Sequence, residues 1–274
     1  MEISNTYDSR KARLMLKLSR AVVYIILIFL TAMCLFSFYM LIINSTRSNA
    51  DLQGGFKLLP SDQFLINLKN AWTDASINIP RGMFNSFIVA ASTALLTTYF
   101  SALTAYGIHA YNFKLKNLAF TFIMAVMVIP SQVSAVGFYQ MCVKLGWTNS
   151  YIPLVVPSVA APVVFFYMKQ YMESALPLAL VEAARIDGAG EFRTFNTIVL
   201  PLMKPAISVQ AIFTFVSSWN NYFTPALILH KDKVKTLPIL IAQLRSADFL
   251  KFDMGQVYMM IAFSIFPVIV VYLV

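Results

Sequence analysis

Apolar residues fall in long runs along the chain, separated by stretches where charge, glycine and proline collect. Six runs approach the roughly 20 residues that a helix needs to cross ~30 Å of hydrocarbon. They are Ala21–Ile43, Met83–Tyr106, Leu118–Met141, Tyr151–Phe166, Ala206–Leu229 and Met254–Val274. The fourth is the shortest, and Tyr167 and Met168 extend it. The first is too long for the core of a signal peptide and no small-residue cleavage site follows it, so it predicts a retained helix. The residues run rather than alternate, which excludes an outer-membrane barrel. The pattern predicts an all-α membrane protein with six transmembrane helices.

The polar positions refine this picture. Of the 21 basic and 12 acidic residues, none lies inside the six runs. Proton- or sodium-coupled carriers keep ionisable groups at mid-membrane, where a charge is costly and retained for function. Here the groups inside the runs are neutral: Gln132, Gln210, Asn220 and Asn221, with several Ser and Thr. His109 sits just past the second run and reads as a helix-end residue. Arg10, Lys11, Arg13, Lys17 and Arg20 precede the first run and place the N-terminus in the cytoplasm. An even number of crossings returns the C-terminus there. Over all segments the basic residues divide almost evenly, 11 inside and 10 outside. Orientation therefore rests on the first helix and on Lys114 and Lys116 against Lys144.

The resulting organisation is a basic cytoplasmic N-terminus at 1–20, a first transmembrane helix at 21–43 and an extracytoplasmic loop at 44–82. A core of five further helices fills 83–274. Within it, 107–117 and 167–205 face inward, and 142–150 and 230–253 face outward.

Composition supports the same class. Hydrophobic residues make up 59% of the chain and charged residues 12%, against about 45–50% and 25% in soluble domains. Disorder, collagen and a disulfide-stapled module are excluded on the same figures. A formal net charge of +9 on a soluble chain would suggest nucleic acid. In a membrane protein it is explained by basic residues beside anionic headgroups, so membrane lipid is an expected partner and nucleic acid is not. Cys34 and Cys142 form no CxxC spacing, and a bridge between them does not follow from sequence.

The most distinctive inward segment is 177–205, PLALVEAARIDGAGEFRTFNTIVLPLMKP. Pro177 suits a helix start, Leu178 to Asp187 contains no breaker, and Gly188 and Gly190 can end the helix with positive φ. A second short helix is predicted from about Glu191 to Val199, with Pro201 and Pro205 stopping it. Ala183, Ala184, Gly188 and Ala189 leave the tip of this hairpin nearly bare, so another protein's backbone could approach. Each helix has about 10 residues and needs a partner or a surface to be stable. The alternative is an amphipathic hairpin lying on the membrane or against its own bundle.

The spacing Glu182-Ala183-Ala184, Gly188, Ile198, Leu200-Pro201 matches the EAA signature of permease subunits of ATP-binding-cassette importers. The chain resembles the carbohydrate (maltose-permease) branch of that family, and particularly its second permease subunit. Asn85-Ser86, Ile129-Pro130, Arg185-Ile186-Asp187-Gly188 and Trp219-Asn220 carry the likeness from about residue 80 to 230. Members of this branch carry a basic, glycine-containing tail after the sixth span. The sequence stops at Val274, within or at the end of that span, so a truncated end is expected and the tail's role is left unassigned.

The resemblance implies that 177–205 forms a cytoplasmic coupling-helix hairpin seated in a cleft of an ATPase subunit. Glu182, Ala183, Ala184, Arg185, Asp187 and Gly188 are then its contact residues; for Asp187 a local helix-end hydrogen bond is the alternative. It further implies partners: a pair of ABC ATPase subunits holding ATP and magnesium, a second permease subunit and an extracytoplasmic solute-binding protein. The location implied is a bacterial or archaeal plasma (inner) membrane. The chain itself has no GxxxxGK[ST] phosphate loop and is expected to be non-enzymatic, with no cofactor or metal of its own. Gln132, Gln210, Trp219, Asn220 and Asn221 are candidates for the substrate pathway, with Ser134, Ser217 and Ser218 near them. Amides and aromatics suit neutral polyols, through hydrogen bonds and stacking. The alternatives are bonds between helices, an interfacial role for Trp219, and a sugar held mostly by the other permease. A permease for a non-sugar solute, a secondary carrier and a membrane scaffold are the competing functions.

Overall fold

A computed structural model describes residues 2–74, 77–130, 132–246 and 253–273. Among the described residues the regular structure is helical, with no strand. Fifteen α-helices appear: α1 Glu2–Ser45, α2 Asn49–Gln53, α3 Phe64–Thr73, α4 Ile79–Ala110, α5 Lys116–Val126, α6 Ala135–Lys144, α7 Ile152–Val155, α8 Pro162–Ala175, α9 Leu178–Ile186, α10 Glu191–Thr194, α11 Leu200–Leu202, α12 Lys204–Trp219, α13 Phe223–Ile228, α14 Leu237–Ser246 and α15 Met254–Leu273. The chain divides into two compact units, Met1–Ala71 with Asp248–Phe263 and Trp72–Ala247 with Ser264–Val274.

In the first unit, α1 is membrane-length and apolar over Met15–Ser45, and none of its most hydrophobic stretch is buried. A helix apolar on all sides and uncovered is suited to hydrocarbon. Its end is tied down by polar contacts. The Asn67 amide donates to the carbonyls of Ser45 and Arg47, at 2.9 Å each. The Arg47 guanidinium donates to the Gly55 carbonyl at 3.0 Å. Gly255 allows this approach: a Cβ there would lie 2.3 Å from the Arg47 carbonyl oxygen.

The second unit is built on α4. Its buried positions are mostly small or hydroxylated, including Ser86, Ala90, Ala94, Thr97, Thr98, Ser101, Ala102 and Ala105. Small residues let helix backbones approach closely in an apolar solvent, where dispersion replaces the hydrophobic effect. Ala102, Ala105, Tyr106 and Ile108 join Phe165, Met168 and Met172 of α8 with Val181, Phe195, Val199 and Met203 of the following segment in one apolar core. The Asn85-Ser86 pair singled out in the sequence is a strut. Asn85 donates to the carbonyls of Lys233 and Lys235 at 3.1 and 2.9 Å, and Ser86 Oγ accepts from the Leu237 amide at 2.9 Å.

Among the described residues four helices are long and apolar enough to cross a membrane, or five when the bent pair formed by Glu191–Leu202 and Lys204–Trp219 is taken as one. The expected first and second runs fall within α1 and α4, and the sixth matches α15 up to Leu273, with Val274 outside the described residues. The expected third run, Leu118–Met141, is instead two short helices, α5 and α6, parted around Ile129-Pro130. Proline has no N–H to continue the ladder and biases the preceding residue away from helix. Hydropathy alone does not register this. The fourth run falls, apart from Tyr151, in Ile152–Ala175, which is long and apolar enough to cross and is stepped as α7, a 3-10 turn at Pro157–Val159 and α8, with prolines at each start. The fifth ends at Trp219 rather than Leu229, and α13 follows after a break.

Candidate functional site

The hairpin at 177–205 forms largely where its breakers put it. α9 starts after Pro177 and ends in a Schellman motif. The Gly188 amide donates to the Arg185 carbonyl at 3.0 Å and the Ala189 amide to the Ala184 carbonyl at 2.9 Å. This closure requires a left-handed residue, and Gly188 supplies it with φ +75°. The return leg runs from Glu191 without stopping at Val199. It passes through a π-helical turn, Phe195–Val199, carries Pro201 in α11 and breaks at Met203. There the chain bends by 81° into α12, with Pro205 in the first turn.

Glu182, Ala183, Asp187 and Gly188 are exposed, as is Arg185, whereas Ala184 is buried in the hairpin itself. Arg185 already has a partner: its Nε donates to Glu191 Oε1 at 2.7 Å. That contact uses one of the five N–H donors of an exposed guanidinium. The Arg185 guanidinium, followed by the Tyr111 hydroxyl, holds the Glu191 carboxyl down at about 2. The tip is not bare. Ile186 and Phe192 stand 86% and 70% exposed beside it, an apolar pair that attention to the small residues alone missed. An isoleucine and a phenylalanine flanking the glycine-containing turn of an otherwise small and polar segment were the available signal.

The polar groups inside the bundle sort into separate places. Gln210 and Asn221 line one cavity of about 450 Å³ together with Thr93 and Thr97 of α4, Ser158, and Thr214, Ser217 and Ser218 around α12. All of its lining residues are uncharged. Thr97 donates to the Ser158 carbonyl at 2.8 Å. The Thr93 hydroxyl is buried without a hydrogen-bond partner, a state that costs free energy unless a water or ligand completes it. The hydroxyls on α4 were not anticipated; their spacing of four residues, one helical turn, was the signal.

Asn221 also borders a second cavity of about 660 Å³, with Ser134, Phe138 and Thr224 among its lining residues. Trp219 and Asn220 line a third, of about 580 Å³, together with Tyr222, Pro238 and Ser264. Trp219 is almost wholly buried there. It stacks on Phe215 with ring centroids 5.9 Å apart and donates Nε1–H to the Ser264 carbonyl at 3.1 Å. Gln132 is exposed in the break between α5 and α6 and is not brought together with the others.

The family profile described as binding-protein-dependent transport system inner membrane component matches residues 98–274. Among curated relatives, the arabinooligosaccharides transport system permease protein AraQ of Bacillus subtilis (strain 168) is 32% identical over 250 residues, covering 89% of this chain and 86% of the relative. The sn-glycerol-3-phosphate transport system permease protein UgpE of Salmonella typhi is 35% identical over 203 residues, covering 72% of each. Among solved structures, a chain of a bacterial ABC transporter involved in the import of the acidic polysaccharide alginate superposes with a TM-score of 0.81 at 20% identity. The match covers 93% of this chain and 94% of that one.

Proposed function

The chain belongs to the family of binding-protein-dependent transport system inner membrane components, and from that membership we propose how it works as the permease subunit of an ATP-driven sugar importer. It crosses the plasma membrane of a bacterium or archaeon six times, with both ends in the cytoplasm and the broken helices counted as crossings. It supplies half of the translocation pathway and a second permease subunit supplies the rest. A solute-binding protein delivers a sugar or oligosaccharide from outside. A pair of ATPase subunits, which hold ATP and magnesium, supplies the work.

The observation that carries this reading is the closed, exposed hairpin of α9 and α10. Glu182, Ala183, Asp187 and Gly188 lie open beside the apolar pair Ile186 and Phe192, a mixed surface suited to a cleft in an ATPase. The cavity formed by Thr93, Thr97, Gln210, Thr214, Ser217 and Ser218 supports a neutral, hydroxyl-rich cargo. Its walls offer donors and acceptors for sugar hydroxyls and no cation to pair with an anionic one. The same absence of ionisable lining speaks against an ion-coupled carrier. For the phosphorylated polyol named for one relative, a charge contact would have to come from the partner permease.

The test is reconstitution of the complex in proteoliposomes with the ATPase, the second permease and the binding protein. Uptake of a neutral oligosaccharide should require all four components and ATP. Uptake driven by an ion gradient without the ATPase would overturn the proposal.

A further inference from the structure

The hairpin is joined to the rest of the bundle covalently at both ends, from α8 through Leu176-Pro177 and into α12 through the π-helical turn and the 81° bend at Met203. The backbone ladder is broken at the second joint, so it is a poor strut. Val181, Phe195 and Val199 also pack in the apolar core shared with α4 and α8. A polar connection reaches the end of α4. Glu191 accepts from both sides: Arg185 Nε at 2.7 Å on Oε1 and the Tyr106 hydroxyl at 2.8 Å on Oε2. Arg185 lies over the ring of Tyr111, 5.2 Å from its centroid, and Tyr106 and Tyr111 meet edge-on at 6.1 Å. Two helical turns earlier on α4, Tyr99 donates to Asn196 Oδ1 at 3.2 Å and packs edge-on against Phe195 at 5.6 Å.

We propose that Tyr106, Tyr111, Arg185 and Glu191 form a clasp that fastens the hairpin to α4, so that a push on the hairpin moves α4 as well as α12. The consequence is geometric. α4 carries Thr93 and Thr97 of the polar cavity, and Thr97 lies about 14 Å along the helix axis from Tyr106 at ~1.5 Å per residue. Gln210, Thr214, Ser217 and Ser218 of the same cavity sit on or beside α12. A clasped hairpin therefore drives both walls of the cavity together; without the clasp α4 follows only through the shared apolar core and the Tyr99–Asn196 contact. The four residues are positioning residues that touch no cargo. Arg185 and Glu191 are about a third or more exposed, so the ion pair alone has the modest strength of a surface pair. The tyrosine hydroxyls and the buried ring of Tyr106 add to it.

The inference rests on the transport function proposed above, and its test separates the two. The reconstituted complex is assayed for sugar moved per ATP hydrolysed, with assembly checked by co-purification. Glu191→Gln should lower that ratio by roughly two- to fivefold, and Tyr106→Phe with Glu191→Gln should lower it further. Glu191→Asp should recover part of the loss. In a chain with Cys34→Ser and Cys142→Ser, spin labels at Gly107→Cys and Thr197→Cys should keep one spacing with and without ATP. With Glu191→Gln and Tyr106→Phe added, the spacing should change on ATP binding. Variants that assemble less well but move as much sugar per ATP as the parent, at an unchanged label spacing, would overturn the clasp and leave the transport function standing. A parent complex without ATP-driven uptake would bring down that function, and the clasp with it.

Discussion

The hairpin and the polar cavity are built on opposite principles from neighbouring parts of the same chain. In the hairpin, charge is spent on shape: Arg185 and Glu191 meet each other and two tyrosines, and Gly188 takes up a left-handed turn. The surface left over is small, mixed and open. In the cavity there is no charge; threonines, serines and two amides face a space of about 450 Å³. The difference teaches where each kind of polar group is stable. At the end of a helix, water and ion pairing support a carboxylate. Among packed helices, neutral groups that bond to carbonyls cost far less than a charge would.

Each region can be broken separately. The largest effect expected is all-or-none. With Cys34→Ser and Cys142→Ser, a cysteine at Gly190 should react with an impermeant reagent only from the cytoplasmic side, and one at Leu59 only from the other. The reversed pattern would remove the hairpin from the ATPase. Next in size is Gly188→Val. The site has open space around an added Cβ, so the penalty within this chain is the positive φ, about 1–3 kcal/mol. That matches a typical coupling energy, and uptake by the assembled complex should fall by about tenfold or more. Gly188→Ala, with less bulk toward the ATPase, should fall less. Parent-like transport by both variants would dissociate the turn from coupling.

Smaller effects are expected in the cavity. Gln210→Leu removes one set of hydrogen bonds, each worth ~0.5–1.5 kcal/mol, so the half-saturating sugar concentration should rise by about fivefold with ATP turnover little changed. The smallest effect is that of pH on the hairpin. Arg185, Tyr111 and Tyr106 face Glu191 and hold its carboxyl at about 2, below its ordinary 4.5. A depressed carboxylate contributes stability above its unfolded value, and that contribution is lost as pH falls toward the folded one. Sugar moved per ATP should therefore be flat from about pH 8 to pH 5. A drop in that range that disappears in Glu191→Gln would mean that the carboxyl is not held as low as described.

Much of the hairpin was legible in the sequence because local chemistry specifies it. Proline starts, a glycine stop and a fixed register are read from consecutive residues, and α9 lies one residue from its expected end. The clasp was not legible: Tyr106 and Glu191 are 85 positions apart, and only the folded chain brings them together. Hydropathy found where apolar chain lies but not where it breaks, so Leu118–Met141 was read as one crossing although Pro130 interrupts it. Gln210 and Asn221 were picked out as neutral polar groups in apolar runs, and they share a cavity. Trp219, picked out on the same ground, lines a different cavity, with one ring face against Phe215 and its N–H bonded to the Ser264 carbonyl. Residue type alone does not say which way an aromatic ring faces.

The division of labour between the two regions is tested most directly by measuring sugar uptake and ATP hydrolysis in the same proteoliposomes, across sugar concentrations, for the parent, Gly188→Val and Gln210→Leu. The account predicts two distinct signatures. Gly188→Val lowers sugar moved per ATP without shifting the half-saturating concentration, and Gln210→Leu shifts that concentration without lowering the ratio. The same signature from both variants, or the two exchanged, would contradict it.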